Sequence, residues 1–318
     1  MEPERGEALR IALTGATGTV GSRVARLLAP QYDLRCLTRS PERAAARLPV
    51  PGAAVEADLD DTSSLTRALA GADALLAVTF DPLRDTHDEH LLTAARRAGV
   101  RHVVKVSALA VTDPQAQDAI TRWQRACEER VRASGMSWTL LRPRAFMSNC
   151  LDWTRSVRDE GVVRTLHGAS ANSCVDPRDV AEAAARALTS AECAGRAYAL
   201  TGPAALSARQ QAAQLGEVLG RPVRHEELTE AQALAVWRSR YPDALAAALL
   251  ESADRQARGA KSAVDHGVRE ATGREPGTFR AWARRHRSAF RAAEPVEAAG
   301  EEPVREAGEA AVEAQPPA

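Results

Sequence analysis

Three glycines near the start of the chain have the spacing that phosphate-binding loops require. The segment from Thr14 to Gly21 reads T-G-A-T-G-T-V-G, follows the apolar run LRIALT and precedes apolar residues at helical spacing. Gly15 permits a tight turn out of the strand, Gly18 lets the backbone approach a pyrophosphate, and Gly21 lets the helix pack closely on the strand. The helix N-terminus offers N–H groups to the phosphates. We predict a dinucleotide site, with a ligand-free glycine turn as the alternative; its contact residues are Gly15, Ala16, Thr17, Gly18, Thr19, Val20 and Gly21.

The end of the second predicted strand distinguishes between the two nicotinamide dinucleotides. An Asp or Glu at this place bonds the ribose 2′-hydroxyl of NAD, whereas an Arg accommodates the 2′-phosphate of NADP. The chain has Thr38, Arg39 and Ser40 here, and Arg39 lies 18 residues after Gly21. A guanidinium group pairs with phosphate in a planar, bidentate manner. We predict that Arg39 and Ser40 contact the cofactor and that NADP(H) is preferred over NAD(H), with a solvated surface arginine as the alternative.

Two further strand ends supply candidates for the same site. Asp58 and Leu59 follow the third predicted strand, where a loop would flank the adenine ring. Thr79 and Phe80 end the fourth predicted strand, near the expected ribose and nicotinamide. Ligands of open α/β sheets bind outside the carboxyl ends of the strands, so topology alone predicts these four contacts.

Strands and helices alternate along the first half of the chain. Apolar runs predict strands near residues 9–14, 33–38, 53–57, 74–79, 102–107 and 137–141, with helical segments between them. Such alternation implies parallel strands joined by right-handed crossovers. We predict an α/β fold, a Rossmann-type doubly wound parallel sheet with a smaller, mostly helical C-terminal substrate lobe.

The pattern changes after Pro143. The following segments are mostly helical, with short strands predicted near residues 196–200 and 222–225. We predict an NAD(P)-binding domain over residues 1–143 and a substrate lobe over residues 144–291, parts of which return to the first domain. Residues 292–318 are rich in Ala, Glu and Pro and nearly devoid of large apolar side chains, which predicts a disordered tail.

The composition bears on partners and compartment. The chain has 318 residues, 42 basic and 42 acidic side chains, and a hydrophobic fraction of 45%. Zero net charge is atypical of proteins that bind nucleic acid or anionic membranes, and no segment approaches the roughly 20 apolar residues of a bilayer span. The five cysteines form no C-x-x-C pair, and the N-terminus lacks a signal-peptide pattern. We expect a cytoplasmic protein with reduced thiols that binds neither nucleic acid nor membrane.

Two histidines at the start of a predicted helix raise the question of a metal site. His87 and His90 are three residues apart and lie among Asp85, Asp88 and Glu89. A zinc site would need a Cys or a third His at ligand spacing, and none stands nearby. We interpret the segment as a solvated polar helix start and expect no metal.

Several further segments match a known family, in order along the chain. They are CLTRSPERA, EADLDDTSSLTRALAGADALLAV, AARRAGVRHVVKVSA, RASGMSWTLLRPRAFMSN, VDPRDVAEAAARAL and GRAYALTGP, the last followed by LSARQQAAQLGEVLGRPV. From about Leu9 to Phe290 the chain resembles the NmrA-like proteins, a group of atypical short-chain dehydrogenases/reductases. The resemblance implies an NAD(P)-binding domain, a small substrate lobe and a cofactor cleft roofed by an R-P-x-x-F loop. It makes Pro143, Arg144 and Phe146 candidates for the nicotinamide side of the pocket.

The catalytic pair of the main-line short-chain dehydrogenases is missing. Those enzymes use Tyr-x-x-x-Lys for proton exchange with a carbonyl, but none of Tyr32, Tyr198 and Tyr241 has a Lys four residues on. The helix after the fifth strand, where some NmrA-like reductases carry a Lys, contains none. The resemblance places Ser107 beside the nicotinamide, to hold a substrate oxygen or to cap a helix or loop. His167, in the segment TLHGAS, lies where the predicted substrate lobe should face the cleft, and is either a proton donor or a surface-loop histidine.

Two functions remain open at this point. The first, which we favour, is an NADPH-dependent oxidoreductase that transfers hydride to a small hydrophobic acceptor such as a quinone or a conjugated carbonyl. The second is a non-catalytic redox sensor that binds the dinucleotide and regulates a protein partner, and the missing Tyr–Lys pair supports it. An isomerase or epimerase is a weaker third reading, because the usual Tyr acid is lacking. The sequence leaves open the acceptor and whether the chain forms a homodimer.

Overall fold

A parallel sheet forms the centre of the computed structural model, which describes residues 9–48, 50 and 52–291. The strands are β1 (Arg10–Leu13), β2 (Asp33–Thr38), β3 (Ala54–Glu56), β4 (Ala74–Ala77), β5 (His102–Val106), β6 (Ser137–Pro143), β7 (Val162–Thr165), β8 (Arg196–Leu200) and β9 (Arg224–Glu227). Seven of them pair in the order β3–β2–β1–β4–β5–β6–β8, all parallel. The strand order reverses at β1, where β2 lies on one side and β4 on the other. This arrangement confirms the predicted doubly wound α/β sheet.

Helices cover both faces of this sheet. They are α1 (Gly21–Leu28), α2 (Pro41–Ala45), α3 (Thr62–Ala68), α4 (His87–Arg97), α5 (Ala119–Ala133), α6 (Thr154–Glu160), α7 (Pro177–Thr189), α8 (Ala208–Leu219), α9 (Glu230–Arg238), α10 (Asp243–Ala257), α11 (Gly267–Thr272) and α12 (Phe279–Arg285). Local signals explain several starts: Pro41 opens α2, and the side chains of Asp61 and Asp118 accept N–H bonds at the starts of α3 and α5. Short 3₁₀ turns lie at Leu109–Thr112, Met147–Trp153, Ala191–Cys193 and Arg287–Phe290.

Alternate residues of each strand enter two separate cores. Ile11 and Leu13 of β1 pack in one cluster with apolar residues of α1 and α7, whereas Ala12 packs in a second cluster with residues of α3 and α4. A sheet buried on both faces needs apolar residues in both directions. On β5, Val103 follows this rule toward α3 and α4, but two residues further along the same face stands the fully buried Lys105. A charge at such a position requires a buried partner.

The segment after residue 143 both builds a second unit and returns to the sheet. Strand β8, which the sequence predicts, pairs with β6, and α7 packs against α1. Strand β7, which the sequence analysis missed, pairs with β9 in a small parallel sheet of two strands. A third apolar cluster, with Val157, Leu215 and Trp282 among its members, forms the core beside it. The domain boundaries therefore stay predictions, and the predicted tail, residues 292–318, lies outside the described residues.

None of the helices that the structure describes combines the length and the apolar character needed to cross a bilayer.

Candidate active site

The glycine loop lies at the carboxyl end of β1, where the strand order reverses. Within the loop, the N–H of Gly18 donates to the Gly15 carbonyl at 2.9 Å, and the N–H of Ser22 donates to the Gly18 carbonyl at 3.1 Å. The N–H groups of Thr17, Thr19 and Val20 have no acceptor among the described residues. Thr17 and Thr19 are exposed, and α1 has no side-chain cap. This cradle of free donors at a helix N-terminus fits a pyrophosphate.

The glycines of the loop are required by geometry. Gly15 has φ +61°, a left-handed conformation that L-residues adopt at a cost. A Cβ on Gly21 would overlap the carbonyl oxygen of Gly15 and come within 2.8 Å of its carbonyl carbon. The first turn of α1 thus packs directly on the loop backbone. The Thr14 hydroxyl ties the end of β1 to β4, because it donates to the Val78 carbonyl at 2.9 Å and accepts from the Val78 N–H at 2.7 Å.

Arg39 extends into solvent at the end of β2. It is exposed and makes no hydrogen bond or ion pair within the described residues. Ser40, beside it, accepts a hydrogen bond from Arg43 at 2.6 Å. Asp58 lies after β3, partly buried, and Leu59 packs against the core under α3 and α4. Because β2 and β3 are neighbours, all of these residues lie at one corner of the carboxyl edge, and the predicted contacts of Arg39, Ser40, Asp58 and Leu59 stay predictions.

A buried ion pair supports the strand end that carries Thr79 and Phe80. The Lys105 ammonium contacts Asp88 Oδ1 at 2.8 Å and donates to the Thr79 hydroxyl at 2.6 Å, and that hydroxyl donates to Asp88 Oδ2 at 2.6 Å. Lys105 Nζ also lies 5.3 Å from the centroid of the Trp123 ring of α5, and Phe80 packs edge-on against that ring. Phe80 itself is 57% exposed at the sheet edge. The Phe80 ring is therefore held by Trp123 and exposed to solvent at the position predicted for the ribose and nicotinamide.

The charges of Lys105 and Asp88 compensate each other inside the protein. Burial alone would raise the pKa of the Asp88 carboxyl, but the Lys105 charge and the hydrogen bonds from Lys105 and Thr79 hold that pKa below its usual range. Both side chains are almost completely shielded from solvent. Removing one partner of such a pair leaves an uncompensated buried charge.

The hydroxyl of Ser107 is engaged by a second buried network. Its Oγ donates to Glu128 Oε1 at 2.7 Å, and its N–H donates to the Leu141 carbonyl at 2.7 Å. Glu128 of α5 also binds Arg142 in a bidentate manner at 2.9 and 2.6 Å, and Arg132 at 2.9 Å. Burial would raise the pKa of Glu128, but the bonds from Arg142 and Ser107 lower it. In this arrangement the Ser107 proton points to Glu128, and its role toward substrate stays a prediction.

The R-P-x-x-F segment continues directly from β6. Pro143 is buried and pairs with Leu200 of β8, and the N–H of Arg144 donates to the Leu200 carbonyl at 2.9 Å. Phe146 packs against the core beneath α1 and α7 and forms a parallel bridge with Val175. The segment therefore crosses the carboxyl edge at β6 and β8, and contacts of Pro143, Arg144 and Phe146 with the nicotinamide stay predictions.

The remaining histidine candidates have protein partners. His167 has φ +54° and contacts Asp254 of α10 at 3.0 Å, so its role as a proton donor stays a prediction. His87 contacts Asp60 at 3.2 Å, and His90 contacts the Leu59 carbonyl at 2.9 Å. Across the part of the chain that the structure describes, no group of three His, Cys, Asp or Glu side chains is placed to hold a metal ion.

The sequence analysis missed both buried networks. A signal for one was present, because Lys105 is one of two lysines in an arginine-rich chain and interrupts the apolar strand HVVKV. The partners could not be read from the sequence. Asp88 lies on a helix whose start looks like an ordinary polar surface, and Glu128 lies on a helix that is charged throughout.

Known proteins with similar sequences bind NAD(P)H or reduce their substrates with it, in agreement with the glycine loop described above. A family profile described as NAD(P)H-binding matches residues 15–191. The chain is 50% identical, over 283 residues, to a (4-alkanoyl-5-oxo-2,5-dihydrofuran-3-yl)methyl phosphate reductase of Streptomyces griseus, covering 88% of this chain and 99% of the relative. It is 35% identical to an NAD(P)H azoreductase of Xenophilus azovorans, covering 89% and 100%.

Solved structures show the same fold. The NADPH complex of an NADPH-dependent quinone oxidoreductase from Escherichia coli superposes with a TM-score of 0.76 at 27% identity, covering 87% of this chain and 99% of that one. A Citrobacter triphenylmethane reductase complexed with NADP(H) superposes with a TM-score of 0.75 at 22% identity, covering 87% and 99%, which speaks to the fold alone. The chain therefore belongs to the NAD(P)H-binding family, as an oxidoreductase of the NmrA-like, atypical short-chain dehydrogenase/reductase kind.

Proposed function

We propose that the protein is an NADPH-dependent reductase of a carbon–carbon double bond conjugated to carbonyl groups, as in an acyl-substituted butenolide. One observation carries the proposal. The two hydroxyl groups at the ends of β4 and β5 have their protons engaged within the protein, Thr79 with Asp88 and Ser107 with Glu128. An acceptor that needs little acid assistance suits such a site.

The chemistry of the acceptor explains why little acid is needed. When bound, the reduced nicotinamide supplies a hydride. Reduction of a simple ketone produces an alkoxide, a strong base that requires a proton donor in the transition state. Hydride addition to the β-carbon of an acyl butenolide instead moves the double-bond electrons onto two carbonyl oxygens. That enolate is a weak base, and water supplies the proton to the carbon between the two carbonyls.

The Streptomyces griseus relative supports this choice of acceptor. Its name describes a five-membered lactone whose ring double bond is conjugated to the ring carbonyl and to an alkanoyl group. The quinone and azo acceptors in the names of other relatives also accept hydride at a conjugated system. A conjugated carbonyl is the acceptor class common to the butenolide and the quinone.

The cofactor choice rests on Arg39. Its guanidinium is exposed and unpaired within the described residues, at the end of β2 where the 2′-phosphate of NADP is expected. The free N–H groups of Thr17, Thr19 and Val20 fit the pyrophosphate. We therefore propose NADPH rather than NADH as the working cofactor.

An acceptor panel tests the proposal. NADPH oxidation is followed with an acyl butenolide, a quinone, an azo dye and an isolated ketone, and 4-deuterated NADPH locates the transferred atom by NMR. We expect the highest kcat/KM with the butenolide, deuterium on its β-carbon and no turnover of the ketone. Tight NADPH binding without oxidation of any acceptor would instead identify a redox sensor.

The variant Ser107→Ala tests the absence of an acid role. A positioned general acid contributes roughly 10²–10⁴-fold to the rate. We expect kcat for the butenolide to fall by less than about tenfold, because the Ser107 proton is held by Glu128. A loss of 100-fold or more, with unchanged thermal stability, would show that Ser107 is the proton donor.

A further inference from the structure

We propose that Arg144 and Lys261 form a subsite for the phosphate group of a phosphorylated acceptor, at the carboxyl edge beside β6. This inference rests on the proposed function, since it names the feature of the conjugated acceptor that the protein recognises. The acceptor would carry a phosphate ester one methylene away from the ring carbon that accepts hydride.

Arg144 is held in place by its backbone, while its guanidinium has no hydrogen-bond or ion-pair partner among the described residues. The bond from its N–H to the Leu200 carbonyl fixes the residue where β6 and β8 end. The side chain is partly buried, its Nε is shielded from solvent without a hydrogen-bond partner, and no described residue forms an ion pair with the guanidinium. A buried donor without a partner destabilises the protein. An anion brought by a ligand would satisfy it.

Lys261 approaches the same place from the other unit of the molecule. Its carbonyl accepts a hydrogen bond from the Ser173 N–H at 3.0 Å, and its ammonium donates to the Ser252 hydroxyl at 2.8 Å. Two ammonium N–H donors remain. Burial, together with the charges of Arg255 and Arg144, lowers the pKa of Lys261 to about 8. The segment that binds the Lys261 backbone also lies beside Arg144, because the Gly202 N–H donates to the Ser173 carbonyl at 3.1 Å and the Val175 N–H donates to the Ala145 carbonyl at 3.0 Å.

The nearby carboxylates do not neutralise these two cations. Arg255 of α10 occupies them, with bonds of 3.1 Å to Asp113 and 2.7 Å to Asp118. Asp118 also accepts bonds from the N–H and the hydroxyl of Thr121 at the start of α5. Within the described part of the chain, Arg144 and Lys261 are left without a carboxylate partner.

A phosphate monoester has the negative charge and the acceptor oxygens that the donors of Arg144 and Lys261 require. It carries a charge of about −1.5 to −2 at neutral pH and three strong acceptor oxygens. Arginine binds phosphate in a bidentate manner, and lysine adds a point charge. Because Arg144 directly follows β6, a phosphate held there would place an attached ring at the carboxyl edge of the sheet.

A matched pair of acceptors tests the subsite. The pair is (4-hexanoyl-5-oxo-2,5-dihydrofuran-3-yl)methyl phosphate and the corresponding alcohol, and kcat/KM is measured for both with wild type, Lys261→Met and Arg258→Met. Arg258 is an exposed cation at the end of α10 whose side chain has no bonded partner among the described residues, so it is the control. We expect the phosphate-to-alcohol ratio to be at least about 100 in wild type, because the alcohol cannot form the charge-assisted hydrogen bonds that the phosphate makes. It should fall about tenfold or more in Lys261→Met and stay unchanged in Arg258→Met.

Two results would overturn the proposal. One is a ratio near one in wild type. The other is an equal loss for both compounds in Lys261→Met, which would place Lys261 in proton transfer or in folding rather than at the phosphate.

A binding measurement separates this proposal from the proposed function. Calorimetric titration of the phosphate ester into the NADP⁺-loaded protein needs no turnover. If neither compound is reduced, the proposed function fails, whereas phosphate-dependent binding that is weakened in Lys261→Met still supports the subsite. Equal affinity in wild type and Lys261→Met refutes it. Arg144→Met is titrated with NADPH as well, because Arg144 is also a candidate cofactor contact.

Discussion

Two regions of the sheet's carboxyl edge, one near β1 and one near β5, β6 and β8, are built differently. Near β1, one contiguous loop presents backbone N–H groups, and glycines make the necessary close approaches. Near β5, β6 and β8, side chains from well-separated segments form networks, with Lys105 paired to Asp88 of α4 and Ser107 to Glu128 of α5. The proposed cofactor site therefore depends on local backbone geometry, and the proposed substrate site depends on long-range charge pairing.

The difference shows which parts of the protein tolerate change. A backbone cradle fails when a side chain is added, because the added atom has nowhere to go. A side-chain network fails when a charge is removed, because the remaining partner stays buried without compensation. Each end thus has a characteristic substitution that breaks it.

The largest effect is expected at the Lys105–Asp88 pair. Lys105→Met leaves the buried Asp88 unpaired and should lower the free energy of unfolding by about 3–5 kcal/mol, measured by denaturant titration. The double variant Lys105→Met/Asp88→Leu should recover a large part of this loss, since it removes both charges. Arg97→Met, at an exposed position of α4, is the control. A change below about 1 kcal/mol in Lys105→Met would contradict the role of the pair.

The next effect is expected at the glycine loop. A methyl group on Gly21 would overlap the Gly15 carbonyl, so Gly21→Ala must displace the loop. We expect NADPH affinity, measured by fluorescence titration, to fall by about 100-fold or more, since the pyrophosphate cradle depends on this backbone. Ser22→Ala, one residue further along α1, should bind normally. Normal NADPH affinity in Gly21→Ala would show that the cofactor does not use this loop.

A smaller and selective effect is expected at Arg39. Arg39→Asp replaces a phosphate-binding cation with a repelling anion and should weaken NADPH binding by roughly 10–100-fold, as expected for a lost charge-assisted hydrogen bond. NADH affinity should change little. Arg47→Asp, which also alters an exposed arginine beyond β2, is the control. Equal losses for both cofactors would remove Arg39 from the 2′-phosphate site.

The smallest effect is a pH dependence at the substrate end. Lys261, with a pKa of about 8, faces Arg255 of α10, Arg144 after β6, Cys174 and Asp118 at the start of α5. A phosphate dianion prefers the protonated lysine, so its affinity should weaken by up to about tenfold between pH 7 and pH 9 as Lys261 loses its proton. It should also weaken below about pH 6, where the phosphate gains a proton.

The conservative variant Lys261→Arg tests whether deprotonation of Lys261 causes the loss of affinity at alkaline pH. Arginine keeps its charge throughout the range, so the alkaline loss of affinity should disappear while the acid limb remains. An unchanged alkaline limb in Lys261→Arg would assign it to another group.

Strand β5, which carries Lys105, shows why part of the site could not be predicted from the sequence. The alternation of β5 places Val103, Lys105 and Ser107 on one face, which the apolar pattern predicts to be buried. The pattern says that Lys105 needs a partner and does not say which one. The helix after β5 contains no lysine, whereas β5 itself carries Lys105, which pairs with Asp88 of α4, a helix that precedes β5 in the chain.

Strand β7 was missed for a related reason. Its residues Val162–Thr165 include only two large apolar side chains, too few for a period to stand out. It becomes a strand because β9, about sixty residues later, supplies its hydrogen-bond partners. A short strand is defined by its neighbour more than by its own composition.

The sequence by itself determined the Rossmann-type order of strands and helices, the glycine loop and the place of Arg39. These features depend on residues close together in the chain, whose spacing, periodicity and backbone freedom can be read directly. Only the tertiary structure decided that Ser107 donates to Glu128, that Lys105 neutralises Asp88, and that neither Arg144 nor Lys261 forms an ion pair with a carboxylate of the described residues. The physical reason is that a buried charge is balanced by whatever the fold brings within a few ångströms, and distance along the chain carries no information about that.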